Sequence, residues 1–217
     1  TGLASGAGAL AAGGSHTCVA TAAGGARCWG GNSSGQLGDN STTRRIVAVD
    51  VAGLSGGVSA MAAGALHTCV LTTAGGVKCW GHNGFGQLGD YSTAFRYSPG
   101  DVTGLADGVA AIAAGGGHAC ALTTTGGVKC WGNNENGQLG DNSTTRRLTP
   151  VNVTGLASGV TAITAHGSHT CALTSAGGVK CWGQNGFGQL GDNTTTQRLV
   201  PTDVSGLASG VGAIAAG

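Results

Sequence analysis

A period of 51 residues governs this chain and limits what it can fold into. Its cysteines stand at 18/28, 69/79, 120/130 and 171/181, each pair displaced from the last by 51 positions. Trp29, Trp80, Trp131 and Trp182 keep that period, as do His16, His67, His118 and His169. GQLGD recurs at 35–39, 86–90, 137–141 and 188–192, with no insertion or deletion between copies. A repeat of this kind cannot bury an apolar face alone, so stacked neighbours must supply the core. Four periods fill 204 of the 217 residues, as units at approximately 1–51, 52–102, 103–153 and 154–204 of a single repeat domain. The remaining 13, SGLASGVGAIAAG (205–217), nearly repeat the opening TGLASGAGALAAG (1–13).

Within a unit the local signals are those of short strands. In the third, PVNV (150–153) alternates and TGLADG marks a turn. VAAIAAG (109–115), HACALT (118–123) and VKCWG (128–132) read as strands, the last two as a hairpin turning at TTGG. NNENGQLGDNSTTRRLT reads as a long polar connection, and no stretch shows the 3.6 period of a capped helix. Four short strands per repeat of this length predict a propeller blade. The chain therefore reads as an all-β, β-propeller fold of four 51-residue, four-stranded blades, with a surplus copy of one strand at the chain ends.

The recurring pattern G-x-x-H-x-C-A-L-T…G-G-V-K-C-W-G-x-N-x-x-G-Q-L-G-D…P-x-x-V-x-G-L resembles the regulator of chromosome condensation type of repeat, over the whole chain. The resemblance implies a β-propeller, typically of seven four-stranded blades. The paired cysteines depart from the eukaryotic members and look like versions from secreted bacterial proteins.

Side chains alternate across a strand, so His118, Cys120 and Leu122 share one face, and Val128 and Cys130 share one face of the next strand. A three-residue loop at Thr124–Gly126 sets Cys120 across the hairpin from Cys130. Opposed Cβ atoms there stand about 4.5–5.5 Å apart, slightly wide for a disulfide, and a small twist closes the gap. The repeat then reduces eight cysteines to one scheme: Cys18–Cys28, Cys69–Cys79, Cys120–Cys130 and Cys171–Cys181. Metal is the rival reading, since the histidine and both cysteines share a face. Zinc knuckles, however, leave about two to four residues between paired cysteines, and a fourth ligand is missing. The histidine reads more simply as a structural residue bonded to a neighbouring loop carbonyl. Disulfides imply an oxidising compartment, hence an extracellular or cell-surface location.

Each tryptophan falls on the face opposite its cysteine, beside small residues such as Ala119 and Ala121. That arrangement suits blade-on-blade packing; a ring of sugar-stacking tryptophans is the other reading. In GQLGD the glycines permit tight turns, and Leu37, Leu88, Leu139 and Leu190 plug the space between blades. Asp39, Asp90, Asp141 and Asp192 suit Asx-type turns, and Arg45, Arg96, Arg147 and Arg198 are placed to pair with them. One Asp per loop is thin support for calcium.

Residues that do not repeat are the better functional candidates, because the scaffold does not require them. Repeat two is the outlier, with Phe85, Tyr91, Phe95 and Tyr97 beside Arg96, and Phe187 stands at the Phe85 position of repeat four. Exposed aromatics near arginine are typical interface anchors, and blade-specific packing is the alternative. Five Asn-x-Ser/Thr sequons occur, at Asn32, Asn40, Asn142, Asn152 and Asn193. Asn40, Asn142 and Asn193 are the glycan acceptors expected in a host that modifies such sites.

Only 9% of residues are charged and the net charge is +1, with no basic cluster beyond paired arginines, so nothing supports nucleic-acid binding. No apolar run is long enough to span a bilayer. A sparsely charged surface is also poorly protected against self-association. The chain opens on Thr1 without a signal peptide, as the mature part or an excerpt of a secreted protein would. Both ends offer the same strand, 7–13 and 211–217, for one position. The chain is then an excerpt of a longer array, half of a two-chain ring, or a unit whose surplus strand pairs with the next molecule. No nucleophile–base set, phosphate loop or acidic pair stands outside the framework, so no enzyme activity and no cofactor or metal is expected. The leading reading is an extracellular binding or structural scaffold whose partner is another protein or copies of itself. A secreted inhibitor or receptor-like binder is the second, since the fold includes a secreted β-lactamase-inhibiting protein. A nucleotide exchange factor for a small GTPase is the third, against which the disulfides argue, because exchange factors work in a reducing compartment.

Overall fold

In the third unit, Thr123 N donates to Gly127 O at 2.8 Å and Gly126 takes φ +80°, the left-handed residue of a three-residue hairpin turn. That turn sets Cys120 opposite Cys130 in the strand register, and the same turn recurs in all four units. The computed structural model describes residues 7–217, and among them every regular element is a strand. Blade 1 comprises β1 (Ala7–Ala12), β2 (His16–Thr21), β3 (Ala26–Gly30) and β4 (Arg45–Asp50). Blade 2 comprises β5 (Val58–Ala63), β6 (His67–Thr72), β7 (Val77–Gly81) and β8 (Arg96–Asp101). Blade 3 comprises β9 (Val109–Ala114), β10 (His118–Thr123), β11 (Val128–Gly132) and β12 (Arg147–Asn152). Blade 4 comprises β13 (Val160–His166), β14 (His169–Thr174), β15 (Val179–Gly183) and β16 (Arg198–Asp203). Each sheet is antiparallel in simple chain order.

The first strand of each blade lies on the inner edge. β1 touches β5, β5 touches β9 and β9 touches β13. Their ends meet round a hollow of about 250 Å³ lined by Ala12, Ala63, Ala114 and His166 with adjacent glycines. The core sits between blades rather than within one. At the first joint Cys18, Cys28, Leu37, Val51 and Leu54 of blade 1 enclose Trp80 of blade 2, together with Val58 and Val70. The second and third joints repeat this around Trp131 and Trp182. Disulfides join Cys18–Cys28, Cys69–Cys79, Cys120–Cys130 and Cys171–Cys181, each pair with Cα atoms 4.1 Å apart.

The two copies of the end segment fare differently. The opening copy supplies β1, and its residues 1–6 lie outside the described ones. The closing copy, 211–217, was expected as a strand and forms none. It runs along the flank of blade 4 in the place that β5, β9 and β13 take on blades 1 to 3. Val211 N donates to Gly177 O at 3.0 Å, as Val58 N does to Gly24 O, Val109 N to Gly75 O and Val160 N to Gly126 O. A strand exists by its ladder, and among the described residues no strand pairs with 211–217 to complete one.

Candidate functional site

Each joint is locked by a polar relay that reaches from one blade to the next. The Trp80 indole N–H donates to the Gln36 carbonyl at 2.9 Å, and the Thr68 hydroxyl donates to the same oxygen at 2.8 Å. Both lone pairs of that carbonyl are thereby used. Since the Thr68 proton is spent on Gln36, the 2.8 Å contact between His16 Nε2 and Thr68 Oγ1 is donated by the histidine. The histidine is structural, but its partner is a hydroxyl of the next blade rather than the loop carbonyl expected for it. His118, Thr170, Gln138 and Trp182 repeat the relay at the third joint. At the second joint Ala119 stands where the others have threonine, and neither ring nitrogen of the buried His67 has a partner among the described residues.

The GQLGD loop is held by an asparagine that sequence reasoning passed over. Asn134 Nδ2 lies 2.9 Å from Asp141 Oδ1, 3.0 Å from Ser143 O and 3.1 Å from Thr145 O, while its Oδ1 accepts Leu139 N at 2.9 Å. Asn32, Asn83 and Asn185 do the same in their own blades. The signal was present: these asparagines keep the 51-residue period inside a window that otherwise varies. Asn32 is consequently buried, whereas Asn40, Asn142 and Asn193 are exposed. The expected Asx turns and ion pairs form as well. Ser41 N donates to Asp39 Oδ1 at 3.2 Å, and Arg45, Arg96, Arg147 and Arg198 pair with Asp39, Asp90, Asp141 and Asp192 at 2.6–2.7 Å. No group of three or more histidine, cysteine or acidic side chains converges on a metal position among the described residues.

These groups make the fold sensitive to acid. Burial holds His16 down to about 4, and His67 and His118 down to about 3, from the ordinary 6.5. For Asp39, Asp90 and Asp141 burial pushes the carboxyl up. Hydrogen bonds from the loop hydroxyls, the paired arginine and the asparagine outweigh it and hold the carboxyl below 3.8. The Thr194 hydroxyl, with Arg198 and Asn185, holds Asp192 to about 2. A histidine neutral in the fold takes its proton only when unfolded, so its contribution is complete above 6.5 and is lost as pH falls toward 3–4. The carboxylates have the same sign in a lower window, below 3.8. The urea midpoint is therefore expected to be flat from pH 8 to about 6.5, to decline from there and to steepen below about 4. Unfolding titrations at a series of pH values check this, and a midpoint unchanged at pH 4.5 contradicts it.

The candidate aromatics of repeat two divide. Tyr97 lies over Gly35 of blade 1, where a side chain on that glycine would meet the ring, and Leu148 and Leu199 cover Gly86 and Gly137 likewise. Tyr97 is thus a joint residue, and Arg96 is the scaffold's ion-pair partner to Asp90. Phe85 and Phe95 both gather on His82, with ring centroids at 6.0 and 4.5 Å; His82 was not singled out by sequence. Phe85 is half-buried against Gly117 of blade 3, while Phe95 is exposed. Tyr91 is 71% exposed and adopts φ +63°, at the position where the other blades place Asn40, Asn142 and Asn193. The loop imposes that left-handed conformation in all four blades, and Tyr91 N donates to Leu148 O at 3.1 Å as Asn40 N does to Tyr97 O; asparagine tolerates the conformation, and the bulky side chain is the departure. Phe187 stands apart on blade 4 and is 92% exposed.

A family model described as the Regulator of chromosome condensation (RCC1) repeat matches residues 9–36, 58–87, 109–138 and 160–189. A second model of that repeat matches 74–122, 125–173 and 176–217. The chain belongs to the RCC1 repeat family. Among curated relatives with RCC1-like sequence, the human Probable E3 ubiquitin-protein ligase HERC4 is 38% identical over 184 residues, 82% of this chain and 17% of the relative. The Ultraviolet-B receptor UVR8 of Arabidopsis thaliana is 31% identical over 198 residues, 90% of this chain and 45% of the receptor. Yeast RCC1 (Prp20), in its crystal structure with Kap60, superposes with a TM-score of 0.79 at 24% identity, covering 90% of this chain and 48% of that one. Likeness at that identity speaks for the fold alone. The chain spans less than half the length of these curated relatives.

Proposed function

We propose that this RCC1-repeat chain is a non-enzymatic, protein-binding propeller module that works in an oxidising, extracellular setting. The observation that carries the binding reading is Tyr91, 71% exposed in a left-handed conformation, four residues before the exposed Phe95 in the same loop. Natural chains retain strain of this kind where function uses it. Aromatic anchors of low conformational entropy are what protein interfaces favour. Four buried disulfides favour the compartment, since reducing cytosol keeps thiols free. A secreted inhibitor or receptor-like binder is the form this takes with one dedicated partner. Exchange on a small GTPase is disfavoured by the same disulfides. Self-assembly through the chain ends is the structural form of the same module.

A pull-down from the extracellular fraction of the native source tests this reading. Wild type is expected to retain a protein that a Tyr91→Ala, Phe95→Ala double variant loses by about tenfold, wild type and variant melting alike. Equal retention by both overturns the assigned surface. Free thiols on the natively isolated chain, shown by alkylation and intact mass, overturn the compartment.

A further inference from the structure

Directly after β7, blade 2 carries a histidine that the other blades replace. His82 stands where they have Gly31, Asn133 and Gln184. Two neighbours set its tautomer. Gln87 Oε1 accepts the Phe85 main-chain N–H at 2.9 Å, which turns the other end of the amide, Nε2, toward His82 Nδ1 at 2.8 Å. An amide nitrogen only donates, and the Gly84 main-chain N–H reaches the same Nδ1 at 3.3 Å. Nδ1 is therefore the acceptor, and Nε2 carries the proton. In blades 1 and 3, without the histidine, Gln36 Nε2 and Gln138 Nε2 are buried with no partner among the described residues. The fold stands without this contact, so what His82 adds is a fixed ring whose Nε2–H has no partner among the described residues.

That N–H converges with a cation. A Cβ built on Gly84 would lie 2.8 Å from His82 Cε1 and 3.2 Å from His82 Nε2, so this edge of the ring faces the open side of the glycine. Arg146 reaches the same residue from blade 3, its guanidinium 3.4 Å from Gly84 O. In the pairs 44–45 and 146–147 the second arginine holds its own loop aspartate. Among the described residues no carboxylate pairs with Arg44 or Arg146, and Glu135, at the Gly84 position of blade 3, is exposed and unpaired with either. Phe85 and Phe95 flank the His82 ring, and Phe95 is 42% exposed.

A neutral N–H and a guanidinium meeting at one glycine select for an acceptor with negative charge. A carboxylate accepts from both, and its bonds to arginine are charge-assisted. A carbonyl would serve His82 and leave Arg146 uncompensated, and a cation is repelled by Arg146. We infer that Gly84 is the floor of a subsite for an aspartate or glutamate of a partner protein, bound by His82 and Arg146, with an adjoining apolar side chain of the partner laid on Phe95. The inference rests on the proposed binding reading and names its chemistry: an acidic residue beside an apolar one. A protein segment is favoured over a free acid because a lone carboxylate leaves Phe95 uncovered. Both donors belong to the interior joint between blades 2 and 3.

Selection of random linear peptides displayed on phage against the full oxidised chain tests the subsite, followed by fluorescence anisotropy with a labelled synthetic copy of the enriched peptide. Enriched peptides are expected to carry Asp or Glu next to a large apolar residue. Arg146→Glu, at an exposed side chain, keeps the melting temperature and weakens binding at least about tenfold. His82→Phe retains a ring between Phe85 and Phe95, removes the donor and weakens binding about fivefold. Changing the peptide's acid to its amide costs a similar factor on wild type and little on Arg146→Glu, because the two changes remove one interaction. No enriched peptide, or enriched peptides without an acid, overturns the subsite, as does binding indifferent to both Arg146→Glu and His82→Phe. Peptides that lack an acid yet are lost on the Tyr91→Ala, Phe95→Ala double variant overturn the subsite and leave the binding surface standing. Failure of that surface is read separately, from equal retention in the pull-down.

Discussion

Refolding with all eight thiols reduced is expected to yield a chain with no cooperative unfolding transition at 25 °C. Each disulfide links residues 10 apart in sequence. Closing so short a loop removes unfolded-state entropy equivalent to about 2–3 kcal/mol. Four such links together approach about 10 kcal/mol, comparable with the whole stability of an ordinary domain. The thiols themselves still pack, since all eight cysteines belong to the buried clusters, so the loss is that of the cross-links and not of apolar burial. Burial also shields the bonds in the folded chain, so reduction has to be carried out in denaturant before the denaturant is removed. Circular dichroism through a urea titration is the measurement. A reduced chain with the oxidised midpoint contradicts the expectation.

Trp131→Ala is expected to cost about 3–5 kcal/mol, the most damaging of the four equivalent tryptophan substitutions. Trp131 is fully buried and its indole N–H reaches Gln87 O at 2.9 Å. At the first and third joints a threonine hydroxyl also donates to the corresponding carbonyl. The second joint has Ala119 in that place, so Trp131→Ala leaves Gln87 O without a side-chain donor, adding about 1 kcal/mol to the cavity. Trp80→Ala and Trp182→Ala lose the ring and its indole bond but keep the threonine donor to the same carbonyl. Trp29→Ala, with no blade over it among the described residues, is expected to cost about 1 kcal/mol or less. Urea midpoints of the four variants rank these effects. Equal losses at Trp29 and Trp131 contradict this ranking.

Much of this was legible because it is local. Alternation along HACALT and VKCWG and the three-residue turn between them suffice to place Cys120 against Cys130. Periodicity marks Leu139 and Trp131 as framework, and the spacing of Asp141 and Arg147 allows their pair. What was missed was also periodic. Asn134 sits in a stretch read only as a long polar connection, and only the folded loop shows one side chain serving Leu139 N, Asp141, Ser143 O and Thr145 O. His82 became visible only when Phe85 and Phe95 closed on it from two parts of the loop.

The aromatics of repeat two could not be sorted by sequence, since Tyr91 and Tyr97 are both departures from the repeat. Their fates diverge because the Tyr97 ring lies on a neighbouring blade's Gly35, whereas Tyr91 meets the next blade through its main-chain N–H to Leu148 O and stays 71% exposed. By itself the sequence determined the blade, its disulfide and which faces are apolar, because these follow from strand alternation and hairpin geometry within about 50 residues. Tertiary structure alone decided that Tyr97, Leu148 and Leu199 close on the loop glycines of the preceding blade and that Asn134 serves four partners at once, because these contacts join residues the local pattern does not bring together. Four near-identical repeats carry the same local instructions, so what distinguishes one joint from another is the few side chains that depart from the repeat, such as Ala119 where the others have threonine.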